Sequence, residues 1–203
     1  MTESFILVVD NTKNLKKAFM TPKLIKCLKK KKVYYKILSE RKDLYDVLKK
    51  GVSNISGIIL SGGPLCLSEA LEIDSINKNI ALLTQCSKIP ILGICFGFQV
   101  MAASYGGKII SMKREDTGKV VIYLKNKSRL FKGFTKEFIA YQSHKDKVRE
   151  VPPKFEIIAK SSNGIIQGIQ NEKLKRYGIQ FHPEGLETTN LIIYNFIDIC
   201  LCN

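Results

Sequence analysis

The chain has 203 residues, of which 45% are hydrophobic and 25% are charged, proportions typical of one folded domain with a substantial core. No apolar run approaches the roughly 18 residues that a membrane span needs, and the opening MTESFILVVDN lacks the basic segment of a signal peptide. We therefore predict a cytoplasmic protein with a single domain over residues 1–203 and no membrane association.

The formal net charge of +15 is compatible with an acidic partner, a membrane surface or nucleic acid. Lysines outnumber arginines 28 to 5, whereas phosphate recognition favours the arginine fork, so nucleic acid binding is not the favoured interpretation. The spacing of the six cysteines matches no zinc site, and free thiols are expected. They are Cys27, Cys66, Cys86, Cys95, Cys200 and Cys202.

The first half of the chain alternates predicted strands and helices. Strands are predicted at 5–9, 33–38, 57–60 and 89–94, and helices at 21–32, 41–51, 67–86 and from about 97. Thr21 is expected to cap the first helix, with Pro22 as its first helical residue. This alternation predicts an α/β fold of the flavodoxin-like kind, a mostly parallel central sheet with helices on both faces.

After Gly107 the pattern changes to short β-rich segments separated by turns. The pieces KIIS, VVIYL, EFIAYQS, FEIIAKS, GIIQGIQ and RYGIQF predict an additional antiparallel β flank in the C-terminal half. The stretch SHKDKV is predicted to be a charged loop, and residues 188–202 an amphipathic closing helix.

The predicted strand at 89–94 ends in GICFG, which places Cys95 between two glycines. A sharp turn from strand to helix that presents one side chain needs glycines, because the backbones come too close for Cβ atoms. The helix N-terminus would favour the thiolate, and Phe96 would offer a backbone N–H to an oxyanion. The pattern predicts a nucleophile with positive φ at Cys95; the alternative is a buried structural cysteine.

Candidates for the base are the chain's two histidines, His144 and His182. His182 follows an apolar strand in YGIQFHPEG, and Glu184 two residues later could orient it. His144 lies in the polar stretch YQSHKDKV, where an ordinary loop histidine is an equally good interpretation. In IILSGGP, Gly63 falls at the carboxyl edge of the sheet, where ligands of such folds bind, and its N–H could serve as a second oxyanion donor.

Together, SGGP, GICFGFQ and YGIQFHPE resemble the motifs of the class I, or triad, glutamine amidotransferases, and the resemblance runs from VVDN to the C-terminal helix. It implies that Cys95 attacks the side-chain amide of glutamine, that His182 is the general base and that Glu184 orients His182. Gly63 and Phe96 would form the oxyanion hole. Residues that would bind glutamine are Gln99, Gln142, Ser143 and His144.

The stretch SHKDKVREVPPKFEIIAKS is most similar to the amidotransferase subunits of GMP synthetases. This resemblance implies a heteromer in which ammonia passes to a separate ATP-dependent synthetase chain, with Asp146 taking part in coupling to that partner. ATP and Mg²⁺ would be bound by the partner, because the chain has no GxxxxGK[ST] phosphate loop. We expect no cofactor and no metal in this chain.

Two alternatives stay open. The ammonia could serve an anthranilate or aminodeoxychorismate synthase, or the chain could be a non-catalytic regulatory subunit with the same fold. The intact set of Cys95, His182 and Glu184 argues against the second alternative. Two residues depart from the family pattern: Phe98 replaces a usual histidine or methionine, and Gly185 replaces a usual valine or serine.

Overall fold

The computed structural model describes residues 4–12, 20–39, 54–68 and 73–202. The helix predicted at 41–51 lies outside these residues. In the N-terminal half the described elements are β1 (Phe5–Val9), α1 (Thr21–Lys30), β2 (Tyr35–Leu38), β3 (Ile55–Leu60), α2 (Ile73–Gln85), β4 (Ile91–Ile94) and α3 (Phe96–Ser104). No helix within the described ranges is long and apolar enough to cross a membrane.

The C-terminal half is mainly β structure. Its strands are β5 (Lys108–Leu124), β6 (Glu137–Glu150), β7 (Glu156–Ser161), β8 (Ile166–Asn171) and β9 (Arg176–Ile179), and the helix α4 (Asn190–Leu201) follows them. Short 3₁₀ turns occupy Arg129–Phe131, Pro183–Gly185 and Glu187–Thr189.

The described strands form one nine-stranded sheet in the order β2-β1-β3-β4-β9-β8-β7-β5-β6. The pairs from β2 to β9 are parallel, and those from β9 to β6 are antiparallel. Successive side chains of β1 enter different cores: Ile6 packs in the cluster that contains α1 and α4, and Leu7 in the cluster that contains α2 and α3. The predicted parallel sheet with helices on both faces and an antiparallel flank is confirmed.

The prediction of a loop at SHKDKV is wrong, because this stretch lies inside β6. It pairs with β5, which is one long strand rather than two pieces, through contacts such as Ser111 with Asp146 and Asp116 with His144. Burial alternates along β6, with His144, Asp146 and Val148 buried and the residues between them partly exposed. The polar character of the buried residues concealed the period of two that marks a strand.

The predicted cap of α1 is also wrong. Met20 occupies the N-cap position, and Thr21 is the first helical residue. The Thr21 hydroxyl donates to the buried Asp10 carboxylate at 2.9 Å, so this side chain ties α1 to the end of β1 instead of capping the helix.

Arg176 connects the two neighbouring strands β4 and β9. It begins β9, opposite Ile91 of β4, and it is 1% exposed. Its guanidinium donates to Tyr105 Oη and to the carbonyl oxygens of Cys86, Ser87, Ile89 and Leu174, at 2.7–3.3 Å. Because all five N–H donors are used, one side chain fixes the segment before β4 and the start of β9.

We expect Arg176→Met to lower the free energy of unfolding by at least about 3 kcal/mol, since several buried carbonyl groups lose their donors and each costs about 1 kcal/mol or more. Urea denaturation followed by circular dichroism measures this change. The control is Arg149→Met, at an exposed position of β6, which should change stability by less than about 0.5 kcal/mol. Equal effects of the two variants would contradict the assigned role.

Candidate active site

Cys95 connects β4 to α3 in a conformation that L-residues rarely adopt. Its φ is 49° and its ψ is −105°, so the predicted positive φ is confirmed. A Cβ atom on Gly97 would overlap Leu60 O, and one on Gly93 would lie 2.7 Å from Gly97 O. Glycine on both sides is therefore required for the sharp turn that presents the Cys95 side chain.

His182 lies between Cys95 and Glu184. Its Nδ1 is 2.9 Å from Glu184 Oε1, and its ring lies close to Cys95: a Cβ atom on Gly62 would lie 2.7 Å from His182 Cε1 and 3.6 Å from Cys95 Cβ. The backbone N–H of His182 donates to Tyr141 O at 2.7 Å, which fixes the residue against β6. All three side chains of this arrangement are buried.

The charges around His182 decide its protonation. Burial alone would lower its pKa, but the negative charge of Glu184, the neighbouring Cys95 sulfur and the hydrogen bond to Glu184 outweigh burial, so the pKa of His182 lies well above its ordinary value of 6.5. A ring that holds its proton this strongly can accept one from the Cys95 thiol. The arrangement therefore suits His182 to act as the general base toward Cys95.

The turn at Ser61, Gly62 and Gly63 is held beside the two reactive side chains. Asn11 binds Ser61 twice, from its backbone N–H to Oγ at 3.0 Å and from Nδ2 to the carbonyl oxygen at 2.8 Å. A Cβ atom on Gly62 would lie 2.7 Å from His182 Cε1, and one on Gly63 would lie 2.7 Å from Asn11 O. Only glycine fits at either position without displacing its neighbours.

A cavity of about 590 Å³ opens at Cys95 and His182. Five further predicted site residues line it: Gly63, Gln99, Ser143, His144 and Asp146. The other three predicted residues lie behind the wall. Phe96 begins α3 next to Cys95, Glu184 contacts His182 from the far side, and Gln142 directs its amide to Gln167, with a bond of 2.8 Å.

His144 is placed as part of the wall rather than as the base. Its Nδ1 donates to Asp146 O at 2.9 Å, because a carbonyl oxygen can only accept, and its Nε2 lies 3.2 Å from Gln142 Oε1. Burial lowers the pKa of His144, so the ring is neutral at neutral pH. The bond from Nδ1 to Asp146 O therefore holds the ring in the wall, with Nε2 next to Gln142 and not to Cys95.

Asp146 is not the exposed charge that the sequence suggested. It is 1% exposed, and its carboxylate accepts from the Ser68 N–H at 2.7 Å and from the Ser68 hydroxyl at 2.6 Å. Its backbone oxygen accepts from Gln99 Nε2 at 2.9 Å. Asp146 therefore ties β6 both to the segment after SGGP and to the helix behind Cys95.

Comparison with known proteins agrees with this geometry. The family model for class I glutamine amidotransferases matches residues 7–199. The chain belongs to the class I glutamine amidotransferases. It is a glutamine amidotransferase in which the motifs at Cys95 and His182 lie within one cavity.

Several individual proteins are similar to the chain. A subunit of the glutamine-hydrolyzing GMP synthase of Methanococcus aeolicus is 43% identical over 148 residues, which are 72% of this chain and 74% of that protein. GMP synthase [glutamine-hydrolyzing] of Brachyspira hyodysenteriae is 40% identical over 148 residues, but the chain spans only 28% of its length. The crystal structure of a Thermoplasma acidophilum protein, provisionally described as a GMP synthase subunit, superposes with a TM-score of 0.84 at 27% identity and covers 100% of this chain and 96% of that one.

The two departures from the amidotransferase pattern have local compensations. Phe98 is fully buried and packs over Gly178 of β9, where any Cβ atom would overlap its ring. At Gly185 a Cβ atom would lie 2.8 Å from Tyr141 Cβ, so valine or serine would not fit there. At both positions the unusual residue fits its neighbours, and the Cys95–His182–Glu184 arrangement stays in place.

Three residues of this amidotransferase site were missed from sequence. Gln180 donates from Nε2 to Cys95 Sγ at 3.7 Å, and a signal for it existed, because it lies in the predicted strand RYGIQF two positions before His182. Asn11 follows the first strand in VVDN, at the same sheet edge as Cys95. Ser68 had no signal, since its partner Asp146 was assigned to a loop.

We expect the imidazole of His182 to titrate above pH 6.5 and Glu184→Gln to move this titration to lower pH, because the variant loses the negative charge that opposes the effect of burial. NMR of the two histidine ring C–H signals measures both values. His144 is the internal control, since it should titrate below 6.5 in both proteins. A His182 titration that does not move in Glu184→Gln would contradict this account.

Proposed function

We propose that this chain is the glutamine-hydrolysing subunit of a GMP synthetase. It converts L-glutamine to glutamate and ammonia, and the ammonia passes to a separate ATP-dependent synthetase chain that binds ATP and Mg²⁺. The observation that carries the hydrolytic part is the position of His182, which lines the same cavity as Cys95 and has its Nδ1 2.9 Å from Glu184 Oε1.

The first half of the reaction forms a thioester. Cys95 gives its proton to His182, and the sulfur attacks the side-chain carbonyl carbon of glutamine. The N–H groups of Gly63 and Phe96 stabilise the resulting oxyanion. His182 then gives the proton to the amide nitrogen, the carbon–nitrogen bond breaks, and ammonia leaves a γ-glutamyl thioester on Cys95.

The second half regenerates the enzyme. His182 takes a proton from water, the hydroxide attacks the thioester carbonyl, and the carbon–sulfur bond breaks to release glutamate and the thiolate. Glu184 stabilises the imidazolium in both halves and holds Nδ1 in its protonated form. Gln99, Ser143 and His144 form the wall against which the amino-acid end of glutamine binds, and Gln142 acts on this wall through its contact with His144.

The GMP-specific part of the proposal rests on the relatives. The similar Methanococcus proteins are named as subunits of a glutamine-hydrolyzing GMP synthase, and β6 contains the SHKDKV stretch on which the sequence resemblance depends. An acidic docking face on the synthetase would complement the net charge of +15.

We expect Cys95→Ala to abolish glutamine-dependent GMP formation by the assembled enzyme and to leave its ammonia-dependent activity unchanged, since loss of a triad member costs several orders of magnitude in rate. The assay measures GMP formed from XMP and ATP with either nitrogen source. Glutamine turnover at the wild-type rate in Cys95→Ala would refute the catalytic assignment.

The same assay separates the alternatives for the partner. Stimulation of ammonia release by the ATP-binding chain of a GMP synthetase with XMP and ATP supports the proposal. Stimulation only by an anthranilate or aminodeoxychorismate synthase chain would assign the protein to that pathway. Absence of glutaminase activity with every partner would support a regulatory role.

We also propose that Asp146 couples the partner to the site through Ser68 rather than through an exposed charge. Docking that shifts the segment after SGGP would change the position of Gly63, and the carboxylate of Asp146 holds the other end of this segment. The coupling is therefore mechanical: the partner acts on a turn that Asp146 restrains.

We expect Asp146→Asn to reduce both basal glutaminase activity and its stimulation by the synthetase, roughly tenfold for the stimulated rate. Asparagine offers one acceptor oxygen where Ser68 needs two, a loss of about 1–3 kcal/mol. Ser68→Ala should reproduce part of the effect, and Asp116→Asn on the neighbouring β5 should not. Full stimulation in Asp146→Asn would exclude this coupling.

A further inference from the structure

The side chain of Gln180 contacts the reactive sulfur from inside the protein. Gln180 follows β9 directly and is fully buried. Its Nε2 donates to Cys95 Sγ at 3.7 Å, and its backbone N–H donates to Gln167 O at 3.0 Å. Neither Gln180 nor this contact belongs to the set of Cys95, His182 and Glu184.

The orientation of the Gln180 amide is fixed by its neighbours. Asp146 O can only accept, so the group of Gln99 that faces it at 2.9 Å is the NH₂ group. The same Nε2 donates to Gln180 Oε1 at 3.2 Å, which leaves the NH₂ group of Gln180 directed at the sulfur. The carbonyl group of Asp146 thus fixes the amide of Gln99, which in turn fixes the amide of Gln180 with its NH₂ group facing Cys95.

The two polar contacts of the sulfur favour opposite protonation states. The Cys95 thiol donates to the Ser143 carbonyl oxygen at 3.7 Å, and this oxygen can bond only the protonated thiol. The amide of Gln180 donates, so its bond becomes stronger once the sulfur carries a negative charge. Proton transfer to His182 therefore removes the bond to Ser143 and strengthens the existing bond from Gln180.

We propose that Gln180 is a further catalytic residue, which stabilises the Cys95 thiolate by donating a hydrogen bond to it. The sulfur keeps its electron pair when His182 takes the proton, and Gln180 is a fixed donor to that pair before attack and again when the thiolate leaves the thioester. The proposal rests on the nucleophilic role of Cys95 in the proposed function, but it concerns a property of the sulfur that is measurable without glutamine.

The test is the rate at which iodoacetamide alkylates Cys95, followed by mass spectrometry of the peptide that contains it so that other thiols do not contribute. At pH 7 we expect Gln180→Met to slow alkylation about tenfold, the loss of one hydrogen bond to a charged group. The difference should disappear at high pH, where the sulfur is ionised in both proteins. In this variant Gln99 keeps its bond to Asp146 O at 2.9 Å and loses only the longer one to Gln180 Oε1.

The matched control is Gln167→Met, on the neighbouring β8. Gln167 is also fully buried and bonds Gln142 rather than Cys95, so alkylation should stay within about twofold of wild type. Equal slowing by both variants, or slowing by Gln180→Met that persists at high pH, would overturn the proposal because either points to altered packing. An unchanged rate in Gln180→Met would also overturn it.

Gln180→Leu is the second variant, and if neither variant folds, Gln180 is structural and the proposal fails. Glutaminase activity is measured on the same proteins and should fall about tenfold with Gln180→Met. A wild-type protein that lacks glutaminase with every partner, yet shows the expected alkylation pattern, would refute the proposed function and leave the role of Gln180 standing. Normal glutaminase activity together with an unchanged alkylation rate in Gln180→Met would support the proposed function and refute the role of Gln180.

Discussion

The parallel pairing of β4 with β9 determines where the chemistry takes place. In this register Ile94 lies opposite Ile179, and the Cys95 N–H continues the pairing by donating to Ile179 O at 2.8 Å. The residues that follow the two strands, Cys95 on one side and His182 on the other, therefore emerge at the same carboxyl edge of the sheet. Distant parts of the sequence meet because two adjacent strands end together.

The conformation of Cys95 is costly and has to be restrained. A non-glycine residue in a sparsely populated region costs about 1–3 kcal/mol, and it persists because hydrogen bonds fix the backbone on both sides. Besides the bond from Cys95 to Ile179, the Gly97 N–H donates to Ser61 O at 3.2 Å. The second bond also joins the nucleophile turn to the SGGP turn, so the strain is held by the segment that provides the predicted oxyanion donor.

Much of the fold and the triad was predictable because the relevant residues follow strands that are apolar and continuous. FILVV, GIIL and IPILGI are typical of buried parallel strands, and GICFG and HPE follow such runs. The second half of β6 could not be identified, because the buried positions around SHKDKV include the polar residues Gln142, His144 and Asp146. A buried polar side chain is stable only when it has partners, and those partners lie on other strands and turns that no local pattern connects with it.

The same partners explain why Asp146 was misjudged and Gln180 was missed. Local composition suggests that an acid between two lysines is solvated, yet Ser68 removes Asp146 from water with two bonds. From there one path of hydrogen bonds runs through Asp146 O, Gln99 and Gln180 to the sulfur. A buried polar path fixes side-chain orientation only if every member is satisfied. The wall of the cavity, the helix behind Cys95 and the donor at the sulfur consequently form one hydrogen-bonded unit. The proposed coupling to a partner would therefore have two routes from the Ser68 segment to the nucleophile, one through β6 and one through Gly63.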